Sequence, residues 1–570
     1  MDSQRAWQLE ALDETQIEPL IQALGVSRLV ATLLVHRGMT VPSDAQTFLA
    51  ARLADMPDPS DMADIEKAAD RLVSAVLNGE SVVVYGDYDV DGITSSAVLK
   101  LFFQDLFDVE LDVYIPHRLK EGYGLNIEAI ETLAKNGAKV MVTVDNGSSA
   151  VEEIAHARAL GIDTIIVDHH QVSVPEPDAF AHLNPHRMTC GFPYKGLAAV
   201  GVVFLLLVEL RRVLRRRAPE IAARARPDRY LDLVALGTVA DVAPLTGLNR
   251  AIVRYGVQSM RRWTRPGLMA LMETSGCDSA HVTARDFGYK LGPRLNAAGR
   301  MNDAAQGLML LCGLDPMENR RLAQSVEGQN NQRKALQNSM LEEAMAQANH
   351  PDNEHASVLV LAGEEWHPGV VGIVASRIVE SFHRPAVLLA LDGGVFKGSA
   401  RSTPDVNIKA ALDQCAEYLM RFGGHVMAAG MTLRPEKLDL FRAALQKAVE
   451  SVRTPLEGAP PLFYDAEIDA HSVDSSLMDS VLQLGPFGHA NPVPKVVSRN
   501  VRARGKVLRG GHLKLFIEGP DGVIEGLAWN RGDDIVLTEG PLDLLYTPDR
   551  EVWRGRTKTV FRIHDLRRSS

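Results

Sequence analysis

VVVYGDYDVDG, residues Val82 to Gly92, decides how this chain folds. The run from Val82 to Tyr85 has no polar interruption, which describes a strand buried on both faces, as in a parallel sheet. Directly after it come Asp87, Asp89 and Asp91, then Gly92 to let the backbone bend, and Thr94, Ser95 and Ser96 open a helix through Ala97 and Leu101. Working outward, the pattern recurs in VYIPHR, in VMVTVD, which ends in Asp145 before a helix from Glu152 to Leu160, and in TIIVDHH, which ends in Asp168, His169 and His170. A last apolar run in the same series, LVALGTVAD, delivers Asp241. Short apolar runs alternating with helices predict βαβ units and a parallel sheet over about 65–245. In such sheets ligands gather beyond the carboxyl ends of the strands.

Many carboxylates at one sheet edge repel each other unless cations neutralise them. An oxygen-rich set with one or two imidazoles suits Mn²⁺ or Mg²⁺ better than zinc, which prefers thiolates or several histidines. Two ions about 3.5–4 Å apart would activate water and stabilise the leaving oxygen of an attack on phosphorus. The expected chemistry is phosphoester hydrolysis. DYDVDG also resembles the start of an EF-hand loop, but its twelfth position is Val98 instead of Glu, and a strand precedes it. Asp145 alone fits a helix cap as well, and a histidine pair alone fits a packed feature. Their joint occurrence at successive strand ends favours a metal centre.

At 570 residues the chain exceeds one core, since cores stop growing near ~250–300 residues. A composition of 46% hydrophobic and 23% charged residues is that of a globular protein, not a disordered one. The first twenty residues lack the apolar region of a secretory signal, so the mature protein is expected to begin near Met1. The longest uncharged apolar run, Gly196 to Val208, is short of the ~20 residues of a membrane helix and reads as a buried helix. Cys190, Cys277, Cys312 and Cys415 show no CxxC spacing, which argues against zinc and disulfides and fits a reducing cytoplasm. The net charge of −11 argues against indiscriminate coating of nucleic acid. Two stretches depart from it: Arg211 to Arg229 holds eight Arg against two acidic residues, and Lys495 to Lys514 holds seven Lys/Arg and no acidic residue. Each is either a phosphate track or a solvated surface.

Five regions follow. Residues 1–45 carry a helical pattern (Leu9, Leu12, Ile17, Leu20, Ile21) and read as an N-terminal extension; 46–312 hold the parallel-sheet α/β domain. Residues 313–350 read as a long connector helix, and 351–456 as a second, smaller α/β domain. Residues 457–570, rich in short strands, predict an OB-like β-barrel in which Trp529 and Tyr546 are stacking platforms or core residues.

Asp168-His169-His170 is the signature that names the DHH phosphoesterases, and Asp89-x-Asp91, Asp145 and Asp241 stand in that family's order. The chain resembles that family. The resemblance implies that Asp89, Asp91, Asp145, His169 and Asp241 ligate two divalent ions, Mn²⁺ or Mg²⁺, with Asp87, Asp145 and His170 closest to catalysis. Four segments, PHRLKEGYGL (116–125), GPRLNAAGRM (292–301), WHPGVVGIVASR (366–377) and FKGSARS (396–402), are similar to the family's exonuclease branch. RFGGHVMAAG (421–430) looks like the glycine-rich signature of the DHH-associated domain, which binds substrate across the cleft. By the same resemblance Arg118, Ser399 and Arg401, with Arg294 or Arg300, recognise a terminal 5′-phosphate. Tyr123 stacks on a base or simply walls the cleft, and Asn296 and His425 bind phosphates or brace glycine-rich turns. The implied activity is a single-stranded-DNA-specific 5′→3′ exonuclease releasing 5′-mononucleotides in DNA repair and recombination. A cytoplasmic monomer working with a single-strand-binding protein and a helicase is the expected setting, with no membrane association. The competing classes are a small-nucleotide phosphodiesterase and a noncatalytic single-strand-binding scaffold.

Overall fold

Strand β1 (Trp7–Leu9) pairs in parallel with a segment far along the chain, Trp7 opposite Leu462 and Leu9 opposite Tyr464. The expectation of a purely helical N-terminus is corrected here, because the partner that makes these residues a strand is invisible to local periodicity. The structure is a computed structural model and describes residues 6–117, 121, 124–262, 265–301, 304–454, 461–553 and 556–569. After β1 come the helices Ile17–Leu24, Arg28–His36 and Pro42–Ala50, whose shared core also takes in Val481 and Leu484.

The parallel sheet consists of β2 (Val82–Tyr85), β3 (Asp112–Tyr114), β4 (Val140–Val144), β5 (Asp163–Val167) and β6 (Ala181–Leu183), in the order β3-β2-β4-β5-β6. All four pairings are parallel. Val82 and Val84 face a core shared with the helices Val90–Phe107, Ala199–Arg217 and Leu231–Ala240. Val83 and Tyr85 face the helices Ile127–Lys135 and Val151–Ala159 on the other side. Two covered faces explain why these strands read as unbroken apolar runs.

LVALGTVAD is a helix, not a strand: Leu231–Ala240 is helical, and Leu231 to Thr238 are all buried. A helix surrounded by core loses its polar face, and with it the periodicity that separates helix from strand.

The Pro316–Ala348 helix, capped by the Asp315 side chain on the amides of Met317 and Glu318, joins two cores. Its Leu322, Ala323 and Val326 pack under the parallel sheet, while Met340, Ala344 and Ala348 pack under a second one. That second sheet holds β7 (Leu359–Gly363), β8 (Ala386–Asp392), β9 (Val395–Arg401), β10 (Arg421–His425) and β11 (Ala428–Leu433), in the order β10-β11-β9-β8-β7. Only β7 and β8 run parallel in it.

β12 (Leu462–Tyr464) is the partner of β1. β13 (Ala466–Glu467), β14 (Val496–Val501), β15 (Ala503–Leu508), β16 (His512–Gly519), β17 (Gly522–Ala528), β18 (Leu542–Trp553) and β19 (Arg556–Arg568) follow, in the order β13-β14-β18-β19-β17-β16-β15. Tyr546 is a core residue stacked on Phe561 at 4.0 Å, so it is no platform, whereas Trp529 is 57% exposed and sits edge-on to His512. Among the described residues no helix is long and apolar enough to cross a membrane.

Candidate active site

The loop after β2 is built around Asp89, which caps the Val90–Phe107 helix by accepting the amides of Asp91 and Gly92 through one oxygen. Gly92 serves close approach more than bending, since a Cβ there would lie 2.6 Å from the Asp87 backbone. Asp91 is buried and spans the start of the Ala199–Arg217 helix, accepting from Ala199 at 2.6 Å and Val200 at 2.9 Å. Asp145 follows β4 in a left-handed conformation (φ 63°), and Asp241 caps the end of the Leu231–Ala240 helix. Gly237 allows that helix to lie against Thr94 and Asp91; a Cβ there would collide with Thr94 Oγ1.

Ligand-type atoms converge in overlapping groups: Asp87, Asp89 and Asp145; Asp91, His169 and Asp241; and Asp145, His169 and His170, each within 4.8 Å. His169 Nε2 is buried without a hydrogen bond, 3.3 Å from Asp145 Oδ1 and 3.8 Å from Asp241 Oδ2. Burial, and then the neighbouring His170 charge, push the His169 pKa down to about 4, so its ring is neutral and has a lone pair to give. Burial and then the repulsion of neighbouring aspartates raise Asp91 and Asp145 well above the carboxylate range, and lift Asp241 to about 7. A centre so short of positive charge, with a neutral imidazole aimed into it, fits divalent metal ions.

Asp168 has a different task. One of its oxygens accepts the amides of His169 and His170 and the His170 ring at 2.8 Å, and the other accepts the Ser148 amide. Burial opposes charge on His170, but the Asp168 hydrogen bond and charge outweigh it and raise its pKa to about 9. His170 therefore presents a cation to the cleft. Around it stands a network that sequence reasoning missed: Ser148 Oγ lies 2.9 Å from His182 Nε2, and Asn184 donates to Ser148 Oγ and to the His170 carbonyl. The only hint was polar HLNPH, residues 182–186, at the end of an apolar run.

The second sheet carries a different surface. Arg401 donates to Ser399 Oγ at 2.8 Å, and both lie against Gly372 in the first turn of the Val371–Phe382 helix. Among the described residues Arg401 has no carboxylate partner, and burial lowers its pKa. An uncompensated guanidinium beside a helix N-terminus has the chemistry to hold an anion, and this spot is called the pocket below. In the strand register Ser399 stands beside Gly430 and then Gly423, and Arg401 beside Ala428 and then His425. Residues directly opposite share a face, so a floor of small residues leads from the pocket to exposed His425. Nothing lies within 4 Å of a Cβ built on Gly423 or Gly430.

The Gly292–Met301 helix links the two surfaces. Asn296 Oδ1 accepts the Val90 amide and so braces the aspartate loop. Arg300 reaches across to the Gly369 carbonyl at 3.4 Å, while Arg294 is held by Glu327 and the Lys290 carbonyl. Arg118 and Tyr123 lie outside the described residues.

Three family models match: the DHH family N-terminal domain over residues 81–238, the DHHA1 domain over 355–451 and the RecJ OB domain over 464–565. A protein of Escherichia coli named single-stranded-DNA-specific exonuclease RecJ is 36% identical over 527 residues, 89% of this chain and 90% of that protein. The chain belongs to the RecJ family. The RecJ of Bacillus subtilis is 35% identical over 99% of this chain and 71% of its own length. The crystal structure of RecJ from Thermus thermophilus in complex with Mn²⁺ superposes over 100% of this chain and 80% of that one, with TM-score 0.83 and 28% identity. The RecJ complex with Mg²⁺ gives TM-score 0.78, so RecJ proteins of this fold accommodate both ions that the donor set here favours.

Proposed function

We propose that this chain is a single-strand-specific 5′→3′ exodeoxyribonuclease that releases 5′-mononucleotides. The observation that carries the reading is the Gly292–Met301 helix, which braces the aspartate loop through Asn296 and reaches Gly369, three residues before Gly372 of the pocket, through Arg300. One helix thus touches both the acidic loop and the segment that leads into the pocket. Asp89, Asp91, Asp145, His169 and Asp241 hold the metal, and Asp87, Asp145 and His170 stand nearest the reacting phosphate. Bound Mn²⁺ or Mg²⁺ supplies acidification of the attacking water and neutralisation of charge on the phosphoryl oxygens. His170, kept protonated by Asp168, donates a hydrogen bond to the scissile phosphate. Ser399, Arg401 and Arg300 seat the terminal 5′-phosphate, and Arg118 joins them by resemblance. With the end phosphate seated, the next phosphate falls at the acidic centre, so each cut frees one nucleotide and exposes a new end.

The small-residue floor admits the flat sugar–base unit, His425 touches phosphate at its margin, and Tyr123 stacks on a base. Farther along, Arg502, Arg504, Lys506 and Arg509 around β15, unpaired among the described residues, and exposed Trp529 track the strand. Single strands are supplied in the cytoplasm by a helicase and kept open by a single-strand-binding protein during repair and recombination, and the enzyme acts as a monomer. Digestion of 5′- and 3′-labelled single strands with Mn²⁺ tests the reading. The 5′ label should leave at once as a mononucleotide, the 3′ label should stay on shortening strands, and Asp145→Ala should leave both intact. Early release of the 3′ label would refute the polarity.

A further inference from the structure

The Leu231–Ala240 helix ends in a way that its sequence makes costly. Asp241 bonds back to Gly237, Val242 to Val239 at 3.1 Å, and Ala243 to Thr238 at 3.2 Å. This pair of crossed closing bonds is a Schellman motif, and it requires a left-handed residue at the position Val242 occupies, where glycine is the usual choice. Val242 takes it with φ 60°. Nine non-glycine residues have positive φ among the described residues, and the other eight are Ala, Asp, Asn or His; Val242 alone is β-branched. A β-branched side chain in that region is a true steric outlier, and such outliers persist where function holds them.

Packing does not account for it. Val242 is 64% exposed, while Ala243 turns inward and is buried. The valine is thus an apolar side chain standing in solvent one residue from Asp241, whose carboxylate lies 3.8 Å from His169. Glycine would close the same turn without strain and without loss of core.

We propose that Val242 is a substrate-contact residue: at the rim of the acidic centre its isopropyl group meets the apolar face of the deoxyribose–base unit whose phosphate is cut. The inference rests on the exonuclease reading given above. The carboxylates beside it handle the phosphate and offer nothing to the uncharged part of the nucleotide, which is what a β-branched hydrocarbon supplies.

Steady-state digestion of a 5′-phosphorylated single strand by the full chain, with Val242→Gly and Val242→Ile beside the wild type, tests this. Val242→Gly should raise KM about 5-fold, a change near 1 kcal/mol that matches a lost methyl-scale contact. Its Tm should equal or exceed that of the wild type, and Mn²⁺ affinity, read by electron paramagnetic resonance, should be unchanged. Val242→Ile should restore KM to within about twofold, as expected when apolar contact is what counts. KM and kcat of Val242→Gly both within twofold of wild type would overturn the proposal, leaving the valine a turn residue only. A parallel fall in Mn²⁺ affinity would also overturn it, because the residue would then act through Asp241. Failure of the wild type to degrade the strand would instead defeat the exonuclease reading, independently of Val242.

Discussion

The two sheets that the Pro316–Ala348 helix joins are built in opposite ways. The parallel sheet carries its chemistry at strand ends, where β2, β4 and β5 each stop in side chains that converge beyond the edge. The mixed sheet instead offers a strand face, shaped largely by leaving side chains out, at Gly423, Gly430 and Ala428. One surface concentrates charge; the other makes room. The contrast teaches that a reaction centre and a binding floor leave different traces: the first is a repeated residue type, the second an absence.

Substitutions in each sheet sharpen the contrast. The largest effect belongs to the strand-end centre. Asp241→Asn should reduce turnover at least about 10³-fold, since each ~1.4 kcal/mol of lost charge stabilisation is tenfold. Removing metal with a chelator should abolish activity and added Mn²⁺ restore it, as rate measurements would show. On the mixed sheet, Arg401→Ala should cost about 10–100-fold in preference for 5′-phosphate over 5′-hydroxyl ends, the scale of a lost charge-assisted hydrogen bond. Competition between the two substrates measures it. Smaller still, Gly430→Val should raise KM about 10-fold by denying one base its resting place, at about 1–3 kcal/mol per base. Its Tm should hold, because nothing lies within 4 Å of the new Cβ. A fall in Tm with KM unchanged would erase the distinction between floor and centre.

The smallest effect contrasts the two basic stretches. In the Ala199–Arg217 helix Arg212 pairs with Asp58, Arg216 with Glu66, and Arg217 with Asp70 and Ser74, so these three arginines are already engaged within the protein. Arg504 and Lys506 on β15 are exposed and unpaired among the described residues. Neutralising both should flatten the salt dependence of single-strand binding by about 1.4 in log–log slope, at ~0.7 per phosphate contact. Neutralising Arg212 and Arg216 should leave the slope alone and lower Tm slightly.

These differences also mark what the sequence made legible. Asp87, Asp89, Asp91, Asp145 and the Asp168-His169-His170 run stood out because strand and carboxylate repeat together. Asp241 converges with Asp91 and His169 from the end of a helix where the sequence suggests a strand, since an enclosed helix has no polar stripe to betray it. Arg294 and Arg300 were inseparable in the sequence. They stand six residues apart, about 240° around a helix, so one turns to Glu327 and the other to Gly369. The partners of the first basic stretch lie about 150 residues earlier, beyond the reach of local pattern. Ser148, His182 and Asn184 come together only after three strands have been laid side by side.

The pairing of β1 with β12 has a consequence for biosynthesis. Trp7 is made long before Leu462 leaves the ribosome, and at ~5–20 residues per second that interval is on the order of a minute. Throughout it the opening segment has no strand to join, and the apolar side of its helices awaits Val481 and Leu484. Shortening the protein to end before Val481 would leave that apolar side uncovered.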